Sequence, residues 1–135
     1  MENRNILVIE DNELNMKLMR GVFRMGNYQI IEAYDAETGI RLAREHQPFF
    51  ILMDIQLPGM DGLKATQIIK ADPELKDIPV VALTGFAMQG DEEKAIDSGC
   101  DGYITKPIDV QEVLKIINSF CNGATPNKKR HMVIK

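Results

Sequence analysis

The chain has 135 residues, 44% of them hydrophobic and 27% charged, which is material for one globular domain with an apolar core and leaves no room for a second. The formal net charge is −4, but the last fourteen residues hold four Lys/Arg and no acid, so residues 1–121 carry 12 bases against 20 acids, a net of −8 that repels nucleic acid and anionic lipid. Cys100 and Cys121 lack metal-ligand spacing and are too few for a disulfide scaffold, the opening MENRN is no basic-then-apolar leader, and the longest apolar run, 49–53, cannot span a bilayer; a cytoplasmic protein with no membrane contact is expected.

Five short apolar runs bounded by turn residues recur along the chain, with amphipathic stretches between them. The first is Ile6-Leu7-Val8-Ile9. A helix is predicted from near Asn12, with Leu18, Met19, Val22, Phe23 and Met25 as its apolar face and Gly26-Asn27 as its left-handed stop. The second run, Ile30-Ile31, is mixed with Gln29 and Glu32 as an edge strand can be, and Asp35 is the N-cap candidate of a second helix. Residues 49–53 form the third run, and a third helix is predicted from about Gly62 to Ala71, before Asp72-Pro73. Residues 80–83 form the fourth, followed by a helix in 91–98. Tyr103-Ile104 is the fifth, followed by a helix whose start is marked by Asp109 and Glu112 at capping-box spacing. The first, third and fourth runs are apolar on consecutive residues, as strands covered on both faces must be. The fold class is therefore α/β, a doubly wound parallel sheet of five strands between two layers of five helices. After Cys121 the helical pattern breaks at Asn122-Gly123, and 122–135 reads as a flexible basic tail to a 1–121 domain.

Open parallel sheets bind ligands beyond the carboxyl ends of their strands. The residues at those ends are Glu10-Asp11, Asp54, Thr84 and, just after the fifth strand, Lys106. Three carboxylates in one crevice need a proton or a cation to offset their repulsion, and with no His or Cys beside them an all-oxygen set suits Mg²⁺. Magnesium held this way usually works on phosphate. Lys106 supplies a compact positive charge and Thr84 a hydroxyl for phosphoryl oxygens, which leaves Asp54 as the nucleophile. Taken singly, each residue also has a plain reading: Glu10-Asp11 as a helix-dipole pair, Asp54 as a turn residue, Thr84 as a cap, Lys106 as a solvated charge. Their joint placement at strand ends is what argues against those readings.

The motifs Glu10-Asp11-Asn12, 53–62 (MDIQLPGMDG), Thr84 and Lys106-Pro107, in this order and at these separations, resemble those of the receiver domain of two-component response regulators, over roughly residues 4–121. The resemblance implies the flavodoxin-like, CheY-like strand order 2-1-3-4-5. It implies phosphorylation of Asp54 by a histidine kinase or histidine phosphotransfer protein, with Mg²⁺ on Glu10, Asp11, Asp54 and the main-chain carbonyl of Gln56. It further implies that Thr84 and Lys106 contact the phosphoryl oxygens, that Tyr103 is the aromatic which rotates inward on activation, and that Gln56 and Phe86 tune the lifetime of the phosphorylated state. Gly85 stands where the family more often has Ala or Ser, which opens access to the phosphoryl group, whereas bulky Phe86 closes it. The first helix contributes to docking the phosphodonor in the family, which makes Met16 and Lys17 candidate contacts. Output is expected through a downstream effector protein at the fourth helix, fifth strand and fifth helix, without direct contact with nucleic acid.

A turnover enzyme built on the same parts needs a general acid two residues beyond the nucleophile, and that position is Gln56, a neutral amide. No glycine-rich phosphate loop follows the first strand, which argues against a nucleotide-binding domain. The expectation is a signalling phosphoacceptor, not an enzyme.

Overall fold

The computed structural model describes residues 4–84, 91–106, 108–121 and 132–134. Five strands and five helices alternate: β1 Asn5–Ile9, α1 Glu13–Met25, β2 Gln29–Ala33, α2 Ala36–His46, β3 Phe50–Asp54, α3 Gly62–Ala71, β4 Val80–Thr84, α4 Asp91–Asp97, β5 Gly102–Thr105 and α5 Val110–Cys121. All neighbouring strands pair parallel, in the order β2-β1-β3-β4-β5, as the resemblance implied. The sheet does not stop there. A sixth strand, β6 (Met132–Ile134), pairs parallel with the outer side of β5, within the segment expected to be a flexible tail. The triplet Met-Val-Ile is short but strand-forming, and β5 offers it an edge. Residues 122–131 lie outside the described residues.

Strand side chains alternate between two cores, because successive residues point to opposite faces of a sheet. Leu7, Ile9, Ile51, Met53, Val80 and Ala82 face the layer of α2, α3 and α4. Ile6, Val8, Phe50, Leu52, Val81 and Leu83 face α1 and α5, where Phe23, Val113, Ile117 and Phe120 meet them. Every residue of β3 and β4 is buried, as consecutive apolar sequence requires of strands covered on both sides.

Local chemistry sets the helix ends. Asn12, Asp35 and Asp61 each accept a hydrogen bond from the backbone N–H three residues on, at Asn15, Thr38 and Lys64, and Asp109 accepts from Gln111 and Glu112. After α1 the chain turns through Asn27 in the left-handed region, φ 63°. The face of α1 differs from expectation: Met16, Met19, Val22 and Phe23 are buried, whereas Leu18 and Met25 are 40% and 76% exposed, together with Leu14 at 78%. Met16 faces the core and is no surface contact. The sheet needs only a three-to-four-residue stripe of this helix, and Leu14, Leu18 and Met25 form a second one, within about 40° of each other at 3.6 residues per turn.

At the end where the strands begin, side chains tie elements together. Lys70, in the last turn of α3, donates to the carbonyls of Lys76 and Ile78 and to Asp101, which also accepts from the N–H of Val80. Arg4 donates to the carbonyls of Gly26 and Asn27 and lies 4.3 Å over the Tyr28 ring, whose hydroxyl bonds Asn118 of α5.

Candidate functional site

The site is built at the opposite end, where the strands finish. Glu10 follows β1 and continues its ladder, donating its N–H to Ala33 O at 3.0 Å, so its side chain is held in the sheet and is wholly buried. Asp54 closes β3 and is 2% exposed; Asp11 is exposed at the rim. The approach of α3 to this point is set by Gly62, where a Cβ would lie 2.3 Å from the carbonyl oxygen of Asp54 and 2.6 Å from Cα of Ile55. Only glycine lets the helix start against the backbone of Asp54.

Lys106 is brought over the acids by its backbone, whose N–H donates to Thr84 O at 2.9 Å. Its ammonium lies 3.1 Å from Asp54 Oδ2 and 3.6 Å from Glu10 Oε2. The other oxygens are held by main chain: Gln56 N–H donates to Asp54 Oδ1 at 2.9 Å, and Asn12 N–H to Glu10 Oε1 at 3.1 Å. Glu10 Oε2 has no hydrogen bond, though it is buried. Burial first, and then the adjoining Asp54 carboxyl, push Glu10 up to about 7 from an ordinary 4.5; the Asn12 N–H and Lys106 offset only part of this.

A buried carboxylate oxygen without a hydrogen bond, beside a second buried carboxylate, is the environment that favours a bound cation. The ligand atoms of Glu10, Asp11 and Asp54 lie within 4.8 Å of one another, and an all-oxygen set with an open solvent side fits a hard divalent ion such as Mg²⁺. The structure thus brings Glu10, Asp11, Asp54 and Lys106 together as their sequence positions indicated. Gln56 joins through its N–H to Asp54, while its side chain is exposed.

Thr84 is fully buried at the end of β4, its hydroxyl donating to Ile104 O at 3.5 Å, turned toward β5. Tyr103 is half-buried and packs against the α2–α3–α4 core. Gly85, Phe86 and Pro107 lie outside the described residues. Sequence reasoning did not single out Asn12 as a main-chain donor to Glu10, nor Leu14 and Leu18 as a surface; the spacing of the two leucines, i and i+4 apart from the Met16–Met19–Phe23 stripe, was the available signal.

The family model for the response regulator receiver domain matches residues 6–118. The chain belongs to this family. Among curated receiver proteins it is 46% identical to the polar-differentiation response regulator DivK of Brucella anthropi over 121 residues, covering 90% of this chain and 98% of that one. Among solved structures it is similar to the receiver domain of a sensor histidine kinase from Pseudomonas aeruginosa, described with magnesium coordinated in its active-site cleft; identity is 31%, TM-score 0.83, and coverage 90% of this chain and 99% of the other. A second is the receiver domain of a Saccharomyces cerevisiae response regulator, co-crystallised with a histidine phosphotransfer protein, at 27% identity and TM-score 0.82 with 90% of each chain covered. Within the receiver family, the acid cluster, the buried Asp54 and Lys106 of this chain occupy one crevice. No described helix is long and apolar enough to cross a membrane.

Proposed function

We propose that this receiver domain is a phosphorylation-operated switch in the cytoplasm, with Asp54 as the phosphoryl acceptor and a histidine kinase or histidine phosphotransfer protein as donor. The observation that carries it is the ammonium of Lys106 3.1 Å from a buried Asp54 carboxylate whose neighbours, Glu10 and Asp11, complete a hard-cation set. An Asp54 oxygen attacks phosphorus, forming the O–P bond as the P–N bond of the donor phosphohistidine breaks and its electron pair returns to the imidazole. Glu10, Asp11, Asp54 and the main-chain carbonyl of Gln56 would hold Mg²⁺, which would supply neutralisation of the phosphoryl oxygens. Lys106 balances the charge developing on the same oxygens, and the burial around Asp54 limits water.

The phosphoryl group carries roughly −1.5 to −2 charges where the Asp54 carboxylate carried −1. It draws the Thr84 hydroxyl away from Ile104 O, and the space vacated admits Tyr103, shifting a population toward an altered α4–β5–α5 face that controls a downstream effector protein. Gln56 and Phe86 set how long the state lasts. Donor docking uses Leu14, Lys17 and Leu18 of α1, an exposed apolar stripe with a cation. The neutral Gln56, where a turnover enzyme needs an acid, supports a phosphoacceptor over an enzyme, and the −8 charge of residues 1–121 disfavours direct contact with nucleic acid. The test is intact-mass measurement after incubation with Mg²⁺ and a small acyl phosphate: the wild type gains one phosphoryl mass and Asp54→Asn gains none. An undiminished gain in the variant overturns the assignment.

A further inference from the structure

The crossovers of this sheet share a hand, with one exception. The units β2–α2–β3, β3–α3–β4 and β4–α4–β5 all step toward β5, with their helices on one face of the sheet; β1–α1–β2 steps the other way, with its helix on the opposite face. These four are equivalent, and they follow the right-handed preference obeyed by about 98% of parallel crossovers. β6 continues outward from β5, yet the helix that precedes it, α5, lies on the α1 face. A β5–α5–β6 unit closed within one chain therefore has the wrong hand.

The pairing itself is locally favourable. Without β6, the outward N–H and C=O groups of β5 form an open edge beside the predicted output helices. Met132-Val133-Ile134 is a β-prone triplet, and its register on β5 is defined: Gly102↔Met132, Tyr103↔Val133 and Ile104↔Ile134. A strand delivered by another molecule makes the same ladder with no crossover to close, so the constraint on hand vanishes. Charge selects the donor: residues 1–121 carry −8, whereas 122–135 hold four Lys/Arg and no acid, so this segment is attracted to the body of a second copy.

We infer that the β5 edge is a strand-addition site filled in solution by Met132–Ile134 of a second copy, giving a reciprocal strand-exchanged dimer. Exchange in both directions closes the assembly at two chains, with the same contact made twice. The inference does not depend on phosphorylation of Asp54, and it is tested on the unphosphorylated full chain.

Uniformly ¹³C,¹⁵N-labelled protein is mixed with unlabelled protein, and isotope-filtered NOE spectra are searched for cross-peaks between the backbones of Tyr103 and Val133. In parallel, mass is followed against concentration by sedimentation for the wild type and for a variant lacking 132–135, which leaves α5 and all five inner strands intact. Intermolecular cross-peaks are expected, with a wild-type mass that moves toward twice the monomer as concentration rises. The shortened variant should stay a monomer with unchanged helical circular dichroism. Cross-peaks confined to single chains, no cross-peaks at all, or a dimer that persists without 132–135 would each overturn the inference.

Discussion

Glu10 is poorly placed for stability and well placed for the metal-holding role proposed for it. Its folded-state pKa of about 7, against 4.5 in an unfolded chain, means that the folded protein holds this proton more tightly. That contribution to stability is complete below 4.5 and is lost as the pH rises through about 7, a span worth roughly 3 kcal/mol by linkage. Metal-free Glu10→Gln protein should therefore melt higher than the wild type above neutrality and converge with it in acid, as differential scanning calorimetry can record. Mg²⁺ must displace the same proton, so its affinity, measured by isothermal titration, should weaken as the pH falls below that value. Asp11→Asn, at the exposed rim, should weaken Mg²⁺ binding while leaving the metal-free protein at least as stable.

At the scale of elements, α3 borders Asp54 and α1 carries the proposed donor-docking stripe. Gly62 lets α3 begin against the Asp54 backbone, and a methyl there meets a carbonyl oxygen at 2.3 Å with no flexible neighbour to give way. Gly62→Ala should cost about 1–3 kcal/mol in denaturant unfolding and lower the rate of phosphorylation by small donors and protein donors alike. The α1 stripe should behave differently. Leu14→Asp with Leu18→Asp touches exposed positions, so stability should change by no more than about 0.5 kcal/mol each. Transfer from a phosphohistidine protein should slow by about tenfold or more, while labelling by a small acyl phosphate stays as in the wild type. Equal slowing with both donors would place the defect in the chemistry and not in docking.

The molecule as a whole was legible in the sequence to the extent that its elements are amphipathic or bounded by strong punctuation. Consecutive apolar residues in 49–53 and 80–83 marked the strands β3 and β4, buried on both faces, and Asp35 and Asp109 marked helix starts, because such signals are local. The strand-end acids and Lys106 were legible because parallel sheets place strand ends on one edge, a rule of topology. What sequence could not rank was which of several apolar stripes on α1 faces inward: Leu18 and Met25 have the hydrophobicity of core residues, and only packing against β1 and α5 turns Met16 inward beside the expected Met19, Val22 and Phe23 and leaves those two outside. β6 escaped for a related reason, since a three-residue strand has no periodicity and exists through its partner edge. One global consequence is measurable: binding at the crevice should add about 2.7 kcal/mol to the unfolding free energy at a hundredfold excess of Mg²⁺ over the dissociation constant, read as a melting temperature that rises with Mg²⁺ concentration. Asp11→Asn should flatten that dependence.

The Lys70–Asp101 clasp, with the bonds of Arg4 and Tyr28, sits at the end of the sheet away from the acids. The sheet is thereby a fan fixed at its handle. If Asp54 is phosphorylated as proposed, the strand ends away from the clasp should respond most, with a displacement that grows along β4 and β5 from Val80 and Gly102 toward Thr84 and Thr105. Amide hydrogen exchange would read this directly as a gradient: on phosphorylation, protection should change at the far ends of both strands and stay constant beside the clasp. Cutting the clasp with Asp101→Ala should erase the gradient, because a fan without a handle moves as a loose stack and no longer converts a local push into a directed one.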